Sequence, residues 1–144
     1  MTNSETLPAP GSRRILRRIG AVLAGMLTVL ILDITLDVIM HATGIYPPWL
    51  QPMASSLFLL ATAYRMIDGT IGGYVTGRLA PDRPLAHALV LGGIGFLLST
   101  MGAIATWNKG PAFGPHWYPL ALTAISVPCA CLGGWLRARQ LRKM

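Results

Sequence analysis

The sequence predicts an all-α fold: an integral membrane bundle of four transmembrane helices with both termini on the cytoplasmic side. Three observations carry that expectation. The 144 residues are 53% hydrophobic and only 12% charged, with a mean hydropathy of +0.53, against the ~25% charge of an ordinary soluble domain. Four apolar stretches approach the ~20 residues that a helix needs to cover ~30 Å of hydrocarbon. The basic residues gather at alternate ends of those stretches. This composition excludes a typical soluble globular protein and a disordered chain, and the length allows one domain at most.

The spans are expected at about 19–41, 53–77, 85–107 and 117–136. Lipid offers the backbone no hydrogen bonds, so each must satisfy its own amides and carbonyls as a helix. Residues 1–15, rich in Ser, Thr and Pro, are expected to be a disordered cytoplasmic tail, with residues 16–144 forming the transmembrane domain. Ser12-Arg13-Arg14-Ile15-Leu16 echoes a twin-arginine export signal. No small-residue cleavage site follows the apolar run, which favours a retained signal anchor.

Charge asymmetry sets the expected orientation, because cytoplasmic loops are enriched in Lys and Arg. Of 12 basic residues, Arg13, Arg14, Arg17, Arg18, Arg78, Arg83, Arg137, Arg139, Arg142 and Lys143 fall on one side. Lys109 alone falls on the other, and Arg65 lies within the second span. The net charge of +7 therefore reads as membrane topology, and no nucleic-acid partner is expected. Tyr46, Trp49, Trp117 and Tyr118 flank proline-rich outer loops as expected interface anchors.

Packing signals come next. Gly69, Gly73 and Gly77 form a GxxxGxxxG series, a helix face without side chains that invites close helix contact. Gly92, Gly93 and Gly95 in the third span offer a small surface to match it, and Gly133 and Gly134 another in the fourth. Pro128 is expected to bend the fourth span. Cys129 and Cys131, one residue apart within an apolar run, form neither a redox pair nor a metal motif.

The informative residues are the ionisable ones inside the spans, each costing roughly 2.5 to 3.5 kcal/mol to insert. Asp33 and Asp37 in the first span, with Arg65 and Asp68 in the second, are expected to form an intramembrane ionic cluster. Taking the first span's centre near Leu30, Asp33 lies ~4.5 Å and Asp37 ~10 Å outward of the midplane. Arg65 falls near the midplane and Asp68 ~4.5 Å inward. On those depths Arg65 neutralises Asp33 or Asp68. Asp37 is left beside His41, one turn on along the same face, as a candidate proton or cation path.

Gly72-Gly73-Tyr74, Arg78-Leu79-Ala80-Pro81, Arg83-Pro84 and His87 resemble a pattern in small uncharacterised bacterial inner-membrane proteins with four predicted helices. The resemblance covers the second and third spans. It implies a bacterial inner-membrane location and no particular activity. Small multidrug-resistance transporters share four short helices and a first-span carboxylate, but theirs is a central glutamate, whereas these are paired aspartates displaced outward. Four-helix quinone-linked thiol oxidases require outer cysteine pairs, and here the outer loops contain none.

No nucleophile, base and oxyanion arrangement emerges, so no enzyme is expected. Neither is a cofactor or metal, since haem ligation would call for histidines well inside the spans. The expected partners are membrane lipid and either a second copy of the chain or a larger membrane complex. The expected role is an accessory or structural subunit, the alternative a small proton- or cation-coupled transporter or channel using Asp33, Asp37 and His41.

Overall fold

The computed structural model describes residues 10–143 and is all-α. The helices are α1 (Pro10–Ala42), α2 (Ser55–Leu79), α3 (Pro84–Thr106) and α4 (Trp117–Leu141), with a 3₁₀ turn at Pro111–Phe113 before α4. Three regions are long and apolar enough to cross a membrane: Gly11–Ala42, Pro84–Thr106 and Pro111–Leu141. α2 is long enough but less apolar, because Arg65, Asp68 and a run of Gly and Thr interrupt it. The α1–α2 and α3–α4 connections share one end of the bundle, the loop end. The α2–α3 turn, the N-terminal part of α1 and the C-terminal part of α4 carry the arginines at the other, the basic end.

Helix α1 starts at Pro10, so residues 10–15 are helical and not part of the expected tail; residues 1–9 of that tail lie outside the described residues. Proline suits a first helical turn, where its missing N–H would go unpaired anyway. At 33 residues α1 rises about 50 Å. Residues 11–20 are all exposed, carrying Arg13, Arg14, Arg17 and Arg18 beyond the bundle. Arg18 reaches back to clamp Asp82 of the α2–α3 turn at 2.6 Å. In that turn Arg83 adopts φ of +39° just before Pro84 opens α3. A following proline disfavours the ordinary helical region.

Helix α4 is the spine of the bundle, and small residues let its neighbours approach. A Cβ on Gly73 would collide with the Ala130 carbonyl, and one on Gly133 with the Thr70 carbonyl and the Tyr74 amide. Gly69 lies against Cys129, and Gly77 against Gly134. The glycine series of α2 thus packs chiefly on α4 and not on the glycines of the third span, with Gly77 also against Pro84 at the start of α3. On its other side α4 receives α3, where a Cβ on Gly92 would press on Val127, and one on Gly134 would strike Ala88. Gly93 faces open space and has no part in this contact.

Helix α1 packs chiefly on α2 and only sparingly on α3. Gly25 lies under Thr76 and the Gly72 carbonyl, and Gly72 under Val29. At the loop end, Tyr46, Ala61 and Tyr64 form a small buried cluster with Leu36, Met40, Met53, Leu57 and Tyr118 around it. Tyr46 is therefore a core residue at 4% exposure, not an interface anchor. Its hydroxyl donates to the Leu57 carbonyl. Trp49 stays exposed.

Two outcomes test this packing. Gly73→Ala should lower the thermal unfolding temperature in detergent, because the methyl meets backbone that cannot rotate away. Gly93→Ala should be neutral or stabilising by up to about 1 kcal/mol, the helix-propensity difference between the two residues. For the clamp, the Arg18 guanidinium holds the Asp82 carboxyl below the usual carboxylate range. A depressed acid stabilises above its unfolded pKa, and that contribution fades as the pH falls through the lower folded value. Melting temperatures of wild type and Asp82→Asn should differ at neutral pH and low salt, and converge only once the pH has fallen below the ordinary carboxylate range and through the depressed folded value.

Candidate functional site: a charge network between two helices

Along α1, residues 25, 29, 33 and 37 recur every fourth position and so share one face. Running the other way along α2, Thr76, Gly72, Asp68 and Tyr64 recur at the same interval and meet them rung by rung. Gly25 abuts Thr76, and Val29 abuts Gly72. Asp33 stands beside Asp68 on the next rung. Asp37 receives the Tyr64 hydroxyl on Oδ1 and Arg65 Nη2 on Oδ2, the latter at 2.7 Å. Close backbone approach at the lower rungs holds the charged rungs level.

The structure reassigns the partner of Arg65. The expected cluster joined it to Asp33 or Asp68 and left Asp37 free; instead the ion pair is with Asp37. Side chains on a helix lean toward its N-terminus. In α2 that direction is the loop end, so Arg65 reaches up to Asp37 and away from Asp68. Asp37 in α1 leans down to meet it. Both Asp37 oxygens are engaged, and about a quarter of each partner's side chain stays accessible.

His41 does not share a hydrogen bond with the Asp37 carboxylate. Its Nδ1 donates to the Asp37 backbone carbonyl at 2.7 Å. Its ring stacks on Trp49 at 3.5 Å between centroids and meets Tyr46 edge-on. The proposed Asp37 and His41 pair is therefore adjacent in space but divided between side chain and backbone. His116 repeats the arrangement on the other loop, stacked on Trp107 and donating from Nε2 to its carbonyl. His87 donates to the carbonyl of Arg83, the residue just before α3.

Asp33 and Asp68 form the second rung, and among the described residues no cation is hydrogen-bonded to either. Asp68 is only 2% exposed, and its Oδ2 has no hydrogen-bond partner among the described residues. Asp33 Oδ1 and Arg65 Nε are likewise buried and unpartnered.

Two cavities meet at this network. A cavity of about 260 Å³ lies between α1, α3 and α4 over the α2 surface, with Asp33 and Arg65 in its lining. A second, of about 240 Å³, opens under the loops, with Asp37, His41, Tyr64 and Arg65 in its lining. Arg65 belongs to both. Among the described residues no group of three His, Cys, Asp or Glu is placed to hold a metal, and Cys129 and Cys131 are free thiols. The chain matches no family model, no curated protein and no solved structure.

Tyr64 and the small residues Gly25 and Gly72 are the parts of this site that the sequence reading left out. Their signal was present in the fourfold spacing of Asp33 and Asp37, which extends back to Gly25, and in the position of Tyr64 next to Arg65. Tyr64→Phe should destabilise the bundle by about 1.5 to 3 kcal/mol, as expected for a hydrogen bond to a charged group. Asp33→Asn should be neutral or stabilising in the same unfolding assay, since it relieves like charges on one rung.

Proposed function

We propose that this chain is a four-span membrane protein of the bacterial inner membrane, both termini cytoplasmic, that serves as an accessory or structural subunit in a self-associating or larger assembly. The carrying observation is the closure of the Asp37, Tyr64 and Arg65 set. Every polar atom that Asp37 offers is used to tie α1 to α2. A carboxylate so engaged acts as a fixed stitch. α2 joins the three more apolar helices as the fourth span because its charged residues face α1 and the cavities, while Leu59, Ile67 and Ile71 stay exposed for lipid.

The assembly part of the reading is supported by α1, which leaves Leu27, Ile31, Ile34 and Val38 uncovered along its length. Lipid or another helix can cover such a face equally well on hydrophobic grounds. A second reading, proton- or cation-linked transport, is favoured by one observation: Arg65 lines both the loop-end cavity and the deeper one. In that reading the Asp37 and Arg65 pair is the partition between them.

Subunit counting by photobleaching in native membranes should find two or more copies, or one copy within a larger complex. Thiol labelling of single cysteines should place residue 112 outside and residue 140 inside. A solitary chain that carries pH-dependent flux in liposomes would overturn the accessory reading in favour of transport. Reversed labelling would overturn the orientation.

A further inference from the structure

The deeper cavity has an unusual lining for a bundle of this size. Its walls are apolar, from Met26 and Leu30 of α1, Leu91 and Leu98 of α3 and Ile125 of α4, and the charged side chains among its lining residues are Asp33 and Arg65. The Arg65 guanidinium is turned to Asp37 at 2.7 Å. Asp33 is therefore the cavity's own charge. Behind it stands Asp68, buried and unpartnered at Oδ2.

The charges of this region do not balance. Asp33, Asp37 and Asp68 face a single Arg65, and Asp37 consumes it. Among the described residues Asp33 and Asp68 are left without a hydrogen-bonded cation, and a negative charge on Asp33 at the edge of the cavity is costly to leave isolated. A monovalent cation in the cavity cancels it.

The lining also decides what kind of cation. Divalent metals require six or more oxygen ligands, and the cavity offers Asp33 with the Ser99 and Ser126 hydroxyls among mostly carbon. Among the described residues no aromatic ring lines it, so recognition rests on the carboxylate and not on ring faces. An organic cation has an apolar body for the walls and a charge for Asp33. The volume exceeds the ~150 Å³ of a cavity that holds benzene and falls below the usual drug-sized pocket. We propose that the cavity between α1, α3 and α4 is a binding site for a small monovalent organic cation, an amine or quaternary ammonium with a body of about one aromatic ring, with Asp33 as its counter-ion. The site stands independently of whether the chain is an accessory subunit.

The test uses the full chain in nanodiscs of zwitterionic lipid, with benzyltrimethylammonium and its neutral isostere neopentylbenzene as probes. Equal shape isolates the effect of charge. The cation should bind saturably, one per chain, at least tenfold tighter than the isostere. In Asp33→Asn the two affinities should come together, while Asp82→Asn, outside the cavity, should keep the wild-type difference. Ser99→Phe, which narrows the cavity, should weaken both probes. Saturable binding of neither probe to wild type would overturn the proposal. Equal binding of the two would also overturn it, and would assign the cavity to neutral apolar molecules. The wild-type comparison stands without any variant, so a misfolded Asp33→Asn leaves it decisive.

Discussion

A charge that hydrocarbon cannot solvate must find its partner inside the protein, and the pairing of Asp37 with Arg65 is the constraint on which the arrangement of α1 and α2 depends. Sliding one helix by a turn would take Asp37 away from Tyr64 and Arg65 and set it opposite either Leu60 or a second carboxylate, Asp68. The cost of stranding a buried charge is several kcal/mol, more than any single apolar contact along this interface supplies. Hydrophobic burial is non-directional; the ion pair, with the Tyr64 hydroxyl on the other carboxylate oxygen, is not. α1 exposes most of its large apolar side chains, so its position relies on polar matching more than that of any other helix here.

The other helices are placed by shape. Gly73 on Ala130, Gly133 on the Thr70 carbonyl and Gly92 on Val127 bring backbones together where a single methyl would not fit. Without a hydrophobic drive between helices in lipid, such close approach is how dispersion contacts accumulate. The result is a tight unit of α2, α3 and α4, with α1 laid against one side. The looser contact of α1 with α3 leaves room for the 260 Å³ cavity, whose position follows from this division of labour.

Much of this was legible in the sequence, for physical reasons. Long apolar runs have few folded solutions, so four helices and their approximate limits could be read directly. The ionic cluster was legible as membership, since Asp33, Asp37, Arg65 and Asp68 are the charges within the spans. Its pairing was not. Depth counted along the backbone places Arg65 between Asp33 and Asp68 and farther from Asp37, but the lean of side chains toward each helix's N-terminus moves Arg65 and Asp37 toward each other. Helix adjacency was equally hidden: Gly69, Gly73 and Gly77 announce a close contact without naming the helix that makes it. Tyr46 shows the same limit, because an aromatic beside prolines suits an interface and a small core alike, and only the path of the loop back over Ala61 and Tyr64 decides.

The pairing of Asp37 with Arg65 as the fixing interaction is tested most directly by a double-mutant cycle. Unfolding free energies would be measured for wild type, Asp37→Asn, Arg65→Met and the double variant, in one detergent at one pH. Each single change should destabilise, and the double should cost less than the two together, giving a coupling energy of about 1 to 3 kcal/mol, the upper range for residues in direct contact. Costs that simply add, to within about 0.5 kcal/mol, would contradict the account, because the two side chains would then contribute independently and something else would hold α1 in register.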